Sequence, residues 1–500
     1  MNGKRAQRTR VVLSWIVFIA AVGTFLALFH ATVPQMQFFP ALLAAHGVVL
    51  ILILALTCMT GRFYCAVLCP LGIWQDIVLW VSRRRKDHRF IGTYRQEKPV
   101  LRYGILTVVA LLLVVGVTSI PALLEPYSIF GRILTQVITP LYQYGFDCIG
   151  TIGMQQGWFL LEQKEIIFQG TAVLAVSTIF FIGITLTAWK YGRLYCHTIC
   201  PTGTLLGTVS RYSLYGPVFD AAKCVSCGLC EKTCRSSCIN VKKHAVDYSR
   251  CIDCFDCVAI CPNAAIGYTR TMRRPVENSH TRNAAVATVG VTRRDALVRG
   301  AIAVGATATA LTKGNVSLLP VGQGKNSILP AGAVSYANFS QHCTACHLCI
   351  DTCPSGVLTP SVLENGITGL FQPHLDYTKA YCAYNCNFCS QVCPAGAIHP
   401  ISVQEKQQWA IGKAIYYEFH CLINEKGIEC GNCARHCPKE AITMIEKGNT
   451  LIPKVNHKQC IGCGACEYYC PASPKAITVR PMNEQKRLGE AGMFRRGNLS

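Results

Sequence analysis

Four stretches of the chain are apolar almost throughout: residues 11–30, 41–60, 101–120 and 166–188. Each approaches the ~20 residues a helix needs to cross the hydrocarbon of a bilayer. They predict an α-helical membrane bundle of four transmembrane helices within residues 1–215. Residues 73–82, IWQDIVLWVS, run directly into RRRK and predict an interfacial helix with tryptophans near the headgroups. Residues 121–165 are too long for a tight turn and are expected to cap the outer mouth of the bundle. Beyond residue 215 the long apolar runs stop, and short polar loops dense in cysteine take over.

Basic residues give the bundle a direction. Lys4, Arg5, Arg8 and Arg10 precede the first run, and Arg62, Arg83, Arg84, Arg85, Lys86, Arg89, Arg95 and Lys98 lie between the second and third. Residues 31–40 hold no lysine or arginine, and residues 121–165 hold only Arg132 and Lys164. The positive-inside bias places the N-terminus, the 61–100 segment and the residues after the fourth run in the cytoplasm.

The formal charge of +22 would ordinarily suggest an anionic partner. It counts every thiol as neutral, however, and the chain carries 31 cysteines. Four-thiolate 4Fe-4S clusters carry roughly −2 each, so six would cancel about half of the surplus. No groove-reading motif accompanies the remainder, which suits basic loops against membrane lipid and excludes nucleic acid as the expected partner.

The cysteines fall into six phrases. Cys251, Cys254, Cys257 and Cys261 fit Cys-x2-Cys-x2-Cys-x3-Cys-Pro, as do Cys343, Cys346, Cys349 and Cys353, and Cys460, Cys463, Cys466 and Cys470. In this phrase three close thiolates wrap one cubane, and the fourth, turned away at the proline, ligates the other cluster of a pair. Cys224, Cys227, Cys230 and Cys234 keep the spacing without the proline, with Cys238 four residues on as a possible substitute ligand. Cys382, Cys386, Cys389 and Cys393 lengthen the first gap by one residue, and Cys421, Cys430, Cys433 and Cys437 lengthen it further. Structural zinc would need two separated Cys-x2-Cys knuckles and leaves the third cysteine unexplained. Disulfides would not need the repeated Cys-Pro ending. The expectation is about six 4Fe-4S clusters in small α+β ferredoxin-like modules: two clusters in residues 216–268, with Cys234 serving the second and Cys261 the first, and four in residues 335–482. Residues 269–334 form a linker and 483–500 a tail.

One phrase is written twice near the apolar runs: GRFYCAVLCPLG at 61–72 and GRLYCHTICPTG at 192–203. Together they offer four thiols, Cys65, Cys69, Cys196 and Cys200, from two similar halves. The sharper expectation is a membrane-face redox centre, with the arginine supplying charge beside it and the proline ending the helix. The plainer one is structural thiols or a reversible dithiol pair. Cys58 and Cys148 have no assigned partner.

The apolar runs, the paired GRxYCxxxCP phrases, PYSIFGRI at 126–133 and the ferredoxin module after them resemble the NapH family of membrane quinol dehydrogenase components, and similar membrane modules occur in NosR-like and FixG-like proteins. From residue 292 the chain resembles NapG, a four-cluster periplasmic ferredoxin. The resemblance implies a NapH/NapG-like fusion in a bacterial inner membrane, multi-pass, with the first ferredoxin module cytoplasmic and the C-terminal one periplasmic. It implies oxidation of quinol from the quinone pool, with electrons passed to a reductase or other redox protein. It also suggests nested pairing in the C-terminal module, the first motif with the fourth and the second with the third.

TRRDAL at 292–297, with Arg293 and Arg294, matches the start of a twin-arginine signal, and residues 300–312 make a short uncharged stretch after it. Quinol oxidation needs a proton acceptor, for which His46 and Glu125 are candidates. The alternative function is an iron-sulfur redox factor for assembly or maturation of another metalloenzyme complex, which the FixG-like resemblance allows.

Overall fold

The computed structural model describes residues 3–26, 33–84, 92–155, 170–271, 327–362, 364–447 and 450–488. The twin-arginine stretch, with Arg293 and Arg294, lies outside them. Among the described residues two helices are long and apolar enough to cross a membrane, α1 (Gly3–Phe25) and α6 (Thr171–Tyr191). The expectation of four such helices is corrected. In the 41–60 run the chain breaks at Ala45, held at φ 55°, so that α2 spans only Gly47–Thr60. In the 101–120 run, α4 spans Pro99–Val115 and stops at Gly116, a left-handed cap at φ 92°. At 1.5 Å per residue the 14 residues of α2 reach about 21 Å, short of the ~30 Å of hydrocarbon.

All four apolar helices nevertheless turn large aliphatic side chains outward. Ile16 and Ile19 on α1, Ile51 and Leu52 on α2, Val108 and Leu111 on α4, and Ile179 and Leu186 on α6 are each more than half exposed. Their inner faces mix polar and small side chains such as Arg10, Ser14, Thr57, Arg102 and Ser177 with apolar ones such as Phe25, Ile53 and Ile184.

The helices alternate in direction, and the contacts of the two cysteine-rich regions reveal it. Gly3 at the start of α1 meets Val258, Gly61 just after α2 meets Asp253, and Arg102 near the start of α4 bonds Ser249. At the other ends, Gly116 after α4 lies against Gln341, Thr118 bonds Ser340, and Val173 near the start of α6 packs with Ala345 and Phe371. The first cysteine-rich region therefore sits at one end of the apolar helices and the C-terminal one at the other.

Helix α3 (Pro70–Arg84) follows the first repeated phrase, and α7 (Pro201–Ser210) follows the second. The prolines thus begin helices instead of ending them, because a first-turn residue has no intrahelical N–H to lose. Helix α3 presents Gln75 and Asp76 to the interior and leaves Trp80 exposed. The PYSIFGRI segment does not merely cap the bundle. Helix α5 (Pro126–Ile133), N-capped by Glu125, is buried at every residue.

The cysteine-rich regions are small α+β modules. The first is closed by antiparallel strands Tyr215–Phe219 and Ile266–Arg270. The C-terminal region uses Trp409–Tyr416 against Ile477–Arg487, Ile442–Lys447 against Thr450–Val455, and Leu358–Pro360 against Pro373–Leu375.

Candidate iron-sulfur sites

The backbone of the cysteine loops repeats one conformation. In the phrases beginning at Cys224, Cys251, Cys343 and Cys460, the second and fourth residues after the first cysteine have positive φ: Ser226 and Gly228, Asp253 and Phe255, Ala345 and His347, Gly462 and Gly464. Left-handed residues at these positions turn successive N–H groups into a concavity that suits an anion. Seven of the eight positions have φ between 49° and 72°, and five of the eight carry side chains that normally avoid this region.

Three of these concavities, and the phrase beginning at Cys421, open on cavities lined by thiols. Cys251, Cys254 and Cys257 share theirs with Cys234 and Cys238. Cys224, Cys227 and Cys230 share another with Cys261. Cys421, Cys430 and Cys433 meet Cys470, and Cys460, Cys463 and Cys466 meet Cys437. In the remaining pair, Cys349 lies in the electrostatic field of Cys343, Cys346 and Cys393, and Cys389 in that of Cys382, Cys386 and Cys353.

This geometry corrects the nested expectation. In the C-terminal module the first motif exchanges its fourth cysteine with the second, and the third with the fourth, because each adjacent pair of motifs folds into its own two-site unit. The fourth cysteines share a local geometry. Cys234, Cys261 and Cys393 have φ between −69° and −66° and extended ψ. Cys234, Cys261 and Cys437 each accept an N–H from the residue four positions on. That residue is alanine after Cys261 and Cys437 and is Cys238 after Cys234. Cys238 Sγ lies 3.5 Å from Cys234 Sγ.

All 31 cysteines are free thiols, and among the described residues no three His, Cys, Asp or Glu side chains close on a point as a single ion would require. Four thiols spread around a cavity, with N–H groups aimed inward, fit a 4Fe-4S cluster better than zinc.

The two repeated phrases meet in the core of the helical region. Cys65, Cys69, Cys196 and Cys200 are all buried there, in one apolar cluster with Tyr64, Tyr195, Phe130 and Leu206. Their arginines cross over. Arg62 of the first phrase donates to the Cys196 carbonyl at 2.9 Å, and Arg193 of the second donates to the Cys65 carbonyl at 2.6 Å. Gly72 and Gly203 make this exchange possible, since a Cβ at either would collide with that carbonyl and the incoming guanidinium.

A buried ion network ties this core to the first module. Asp76 on α3 pairs with Arg10 at 2.9 Å, Arg193 at 2.8 Å and Arg235 at 2.8 Å. Arg235 reaches on to Asp256 at 2.6 Å. Burial alone would raise the Asp76 carboxyl, but the three guanidiniums outweigh it and hold it well below the usual carboxylate range. Arg235 occupies the place after the fourth cysteine that proline takes in the five other phrases. In this phrase the position serves the clamp.

The other sequence-level candidates diverge. His46 is exposed at the break before α2, whereas Glu125 is buried, with Oε2 accepting the Ser128 N–H and Oε1 without a hydrogen-bond partner. Cys58 and Cys148 are exposed. Asp76, Asp256, Arg235 and Gln75 were not singled out from sequence. Asp76 had one signal, as the lone acid within an apolar segment.

Comparison with known proteins places this architecture. The chain is 31% identical over 173 residues to the ferredoxin-type protein NapG of Escherichia coli, covering 33% of this chain and 73% of that protein. It is 31% identical over 220 residues to the methylamine utilization ferredoxin-type protein MauM of Paracoccus denitrificans, covering 41% of this chain and 94% of the relative. The chain belongs to the ferredoxin-type 4Fe-4S proteins. A further ferredoxin-type relative, NapF of Escherichia coli, is 30% identical over 156 residues, 31% of this chain and 85% of that protein. A family described as a 4Fe-4S dicluster domain matches residues 342–397 and 426–486. The first match holds two adjacent cysteine motifs and the second holds the next two apart from Cys421, in keeping with the pairing above. A second family, described as a 4Fe-4S binding domain, matches residues 42–87 and 173–217, one repeated phrase in each. This ferredoxin-type chain is thus an iron-sulfur electron-transfer protein.

Proposed function

We propose that the chain is a membrane-bound quinol-oxidising component, NapH-like in its helical part and NapG-like in its C-terminal part, which passes electrons to a reductase or other redox protein. One observation carries the reading. A cysteine from each module, Cys254 and Cys346, packs into the same apolar core as the four thiols of the repeated phrases, although the modules contact opposite ends of the helices. A chain that kept both modules on one side of a membrane would have no use for that arrangement. The outward aliphatic faces of α1, α2, α4 and α6 support burial in lipid.

Within this reading the 24 thiols of the six phrases hold about six 4Fe-4S clusters, which supply one-electron chemistry when bound. The chain's own groups do the rest. The inward N–H groups and buried sulfurs position an anionic cofactor, and the apolar core excludes water from the space between modules. Quinol gives up two protons with its two electrons, and Glu125, buried with one free oxygen, is better placed than the exposed His46 to receive one. The modules lie on opposite faces of a bacterial inner membrane, with the first cytoplasmic and the second periplasmic.

The test is anaerobic mixing of the full-length, cluster-loaded protein in detergent with a menaquinol analogue, followed by cluster bleaching and low-temperature EPR. Reduction within turnover times supports the reading. Clusters that stay oxidised with quinol, yet reduce with dithionite, would defeat it. A reporter fused after residue 488 that reads out in the cytoplasm would defeat the proposed topology.

A further inference from the structure

The four thiols of the repeated phrases belong to none of the six cavities or pairs described above, yet they are among the most deeply buried cysteines in the chain, each 5% exposed or less. Their surroundings follow a rule. Each sulfur receives one N–H donor: Cys65 from Arg62 Nη2 at 3.7 Å, Cys196 from Gln75 Nε2 at 3.2 Å, Cys200 from the Gly203 amide at 3.2 Å, and Cys69 from the Gly72 amide. The two amide bonds are equivalent under exchange of the halves, as are the crossed arginines. Cys200 lies within the field of Cys196, Cys65 and Cys69 together, and all four cysteines share one buried cluster at the junction of the halves.

A buried neutral thiol is an ordinary core group, but N–H donors on all four sulfurs favour sulfur that carries negative charge, as cluster ligands do. The nearest guanidinium fits that state. Arg62 and Arg193 are fully buried beside the thiols, and Arg10 and Arg235 lie one contact further out. Arg62 donates to Cys65 Sγ and to the carbonyls of Cys196 and Ser249, so its charge faces the thiols. Four thiolates around a cubane carry roughly −2, which a buried guanidinium beside them favours. Disulfide sulfurs would offer these N–H donors only weak, neutral acceptors. A single ion is disfavoured because these thiols do not close on one point.

We infer that Cys65, Cys69, Cys196 and Cys200 hold one iron-sulfur cluster shared between the two halves, two ligands from each, in the core between Cys254 of the first module and Cys346 of the second. The family match to 42–87 and 173–217 treats each half as its own domain. The crossed arginines say instead that neither half is complete alone, since each phrase needs the other's guanidinium and the other's sulfurs. The inference rests on the iron-sulfur reading of the chain but not on quinol as its reductant.

The test is a count of iron, acid-labile sulfide and zinc in the full chain purified without oxygen. The expected wild-type content is about 28 irons, against about 24 for six clusters alone. Cys65→Ser and Cys196→Ser should each lose about four irons, and the double variant no more than either single one, because one shared centre is lost only once. A wild type near 24 irons, zinc in stoichiometric amount, or a double variant losing twice what each single one loses would overturn the inference. If the serine variants do not accumulate, the wild-type count still decides. Gln75→Leu then keeps all four thiols and removes the donor to Cys196, together with a weaker bond to the Leu71 carbonyl within the same helix. It should retain full iron while shifting the midpoint potential of one EPR signal downward, since an N–H···S bond favours the more negative reduced state. Unchanged potentials for every signal would count against a cluster at this place.

Discussion

The two cysteine-rich modules dock on the helical core by different chemistry. The first is held by charge: Asp76, Arg10, Arg193, Arg235 and Asp256 form a chain of ion pairs with little contact with solvent. The C-terminal module is held by neutral and single-charge donors to its backbone carbonyls, with Thr118 on Ser340, Ser119 on Ile367 and Arg132 on Ala345. The difference shows what each interface demands of the sequence. Carbonyl acceptors ask nothing of the module's side chains, so the C-terminal module keeps proline after all four of its fourth cysteines. A charged clamp needs a side chain at a fixed place, and in the first module Arg235, where the other phrases have proline, supplies it.

The comparison presumes that each module is built from adjacent motif pairs, and the largest expected effect tests this. Cys393→Ala should remove the cluster held by Cys343, Cys346 and Cys349, a loss of about four irons. Adding Cys346→Ala should remove nothing further. Nested pairing would make the two losses add to about eight irons, measured on the purified chain.

The next effect breaks the charged clamp at its centre. Asp76→Ala leaves three guanidiniums without their shared carboxylate, two of them on Arg10 and Arg193, which are buried. Stripping a buried pair of one partner costs about 3–5 kcal/mol. Thermal unfolding should show the first module released well before the rest, with its cysteines newly open to alkylation. Because the network is buried, raising salt should do little to the wild type. An Asp76→Ala chain melting like the wild type would show that the clamp is incidental.

Arg235→Pro restores the phrase its five relatives have and should cost less, about 1.5–3 kcal/mol. Cys234 already has the extended backbone that a residue before proline requires, with ψ 117°. Asp76 keeps Arg10 and Arg193, and Asp256 keeps Arg83 at 3.6 Å and Gln7 at 2.8 Å. Iron content should be unchanged while the melting temperature falls. Loss of the Cys251, Cys254 and Cys257 cluster in this variant would mean that Arg235 positions the ligand as well as the module.

How far these features were legible depended on whether their cause was local. The thiols of four phrases could be read because left-handed turns at fixed offsets bring three sulfurs together within seven residues, and the other two because their last three cysteines keep the same close spacing. The partner of each fourth cysteine could not, since the direction in which one motif meets another is a tertiary fact. The repeated phrases announced four thiols but not the exchange of Arg62 and Arg193 between halves. Gly116 was a visible stop for α4, yet apolar Ala45 gave no sign that the second run would break there. The clamp was hidden because Arg10 and Arg235 reach Asp76 from 66 and 159 residues away, and a lone Asp in an apolar helix reads equally well as a solvated face.

The smallest effect lies at the neutral interface. Thr118 donates its hydroxyl to the Ser340 carbonyl at 2.6 Å and lies 3.2 Å from that of Cys343. Thr118→Val keeps the shape and removes the donor. The penalty for a buried carbonyl left empty would normally apply, but Gln372 Nε2 also donates to Ser340 at 3.1 Å and reaches Cys343 at 3.4 Å. Both acceptors therefore keep a partner, and the cost should fall to about 1 kcal/mol, the net worth of one ordinary hydrogen bond. The double variant Thr118→Val, Gln372→Leu should cost clearly more than the two single changes added together, because only then are the carbonyls of Ser340 and Cys343 both deserted. A strictly additive pair, measured by denaturant unfolding of the full chain, would show that the two donors do not share these carbonyls and that the C-terminal module is held by apolar packing around Ala345 and Phe371 instead.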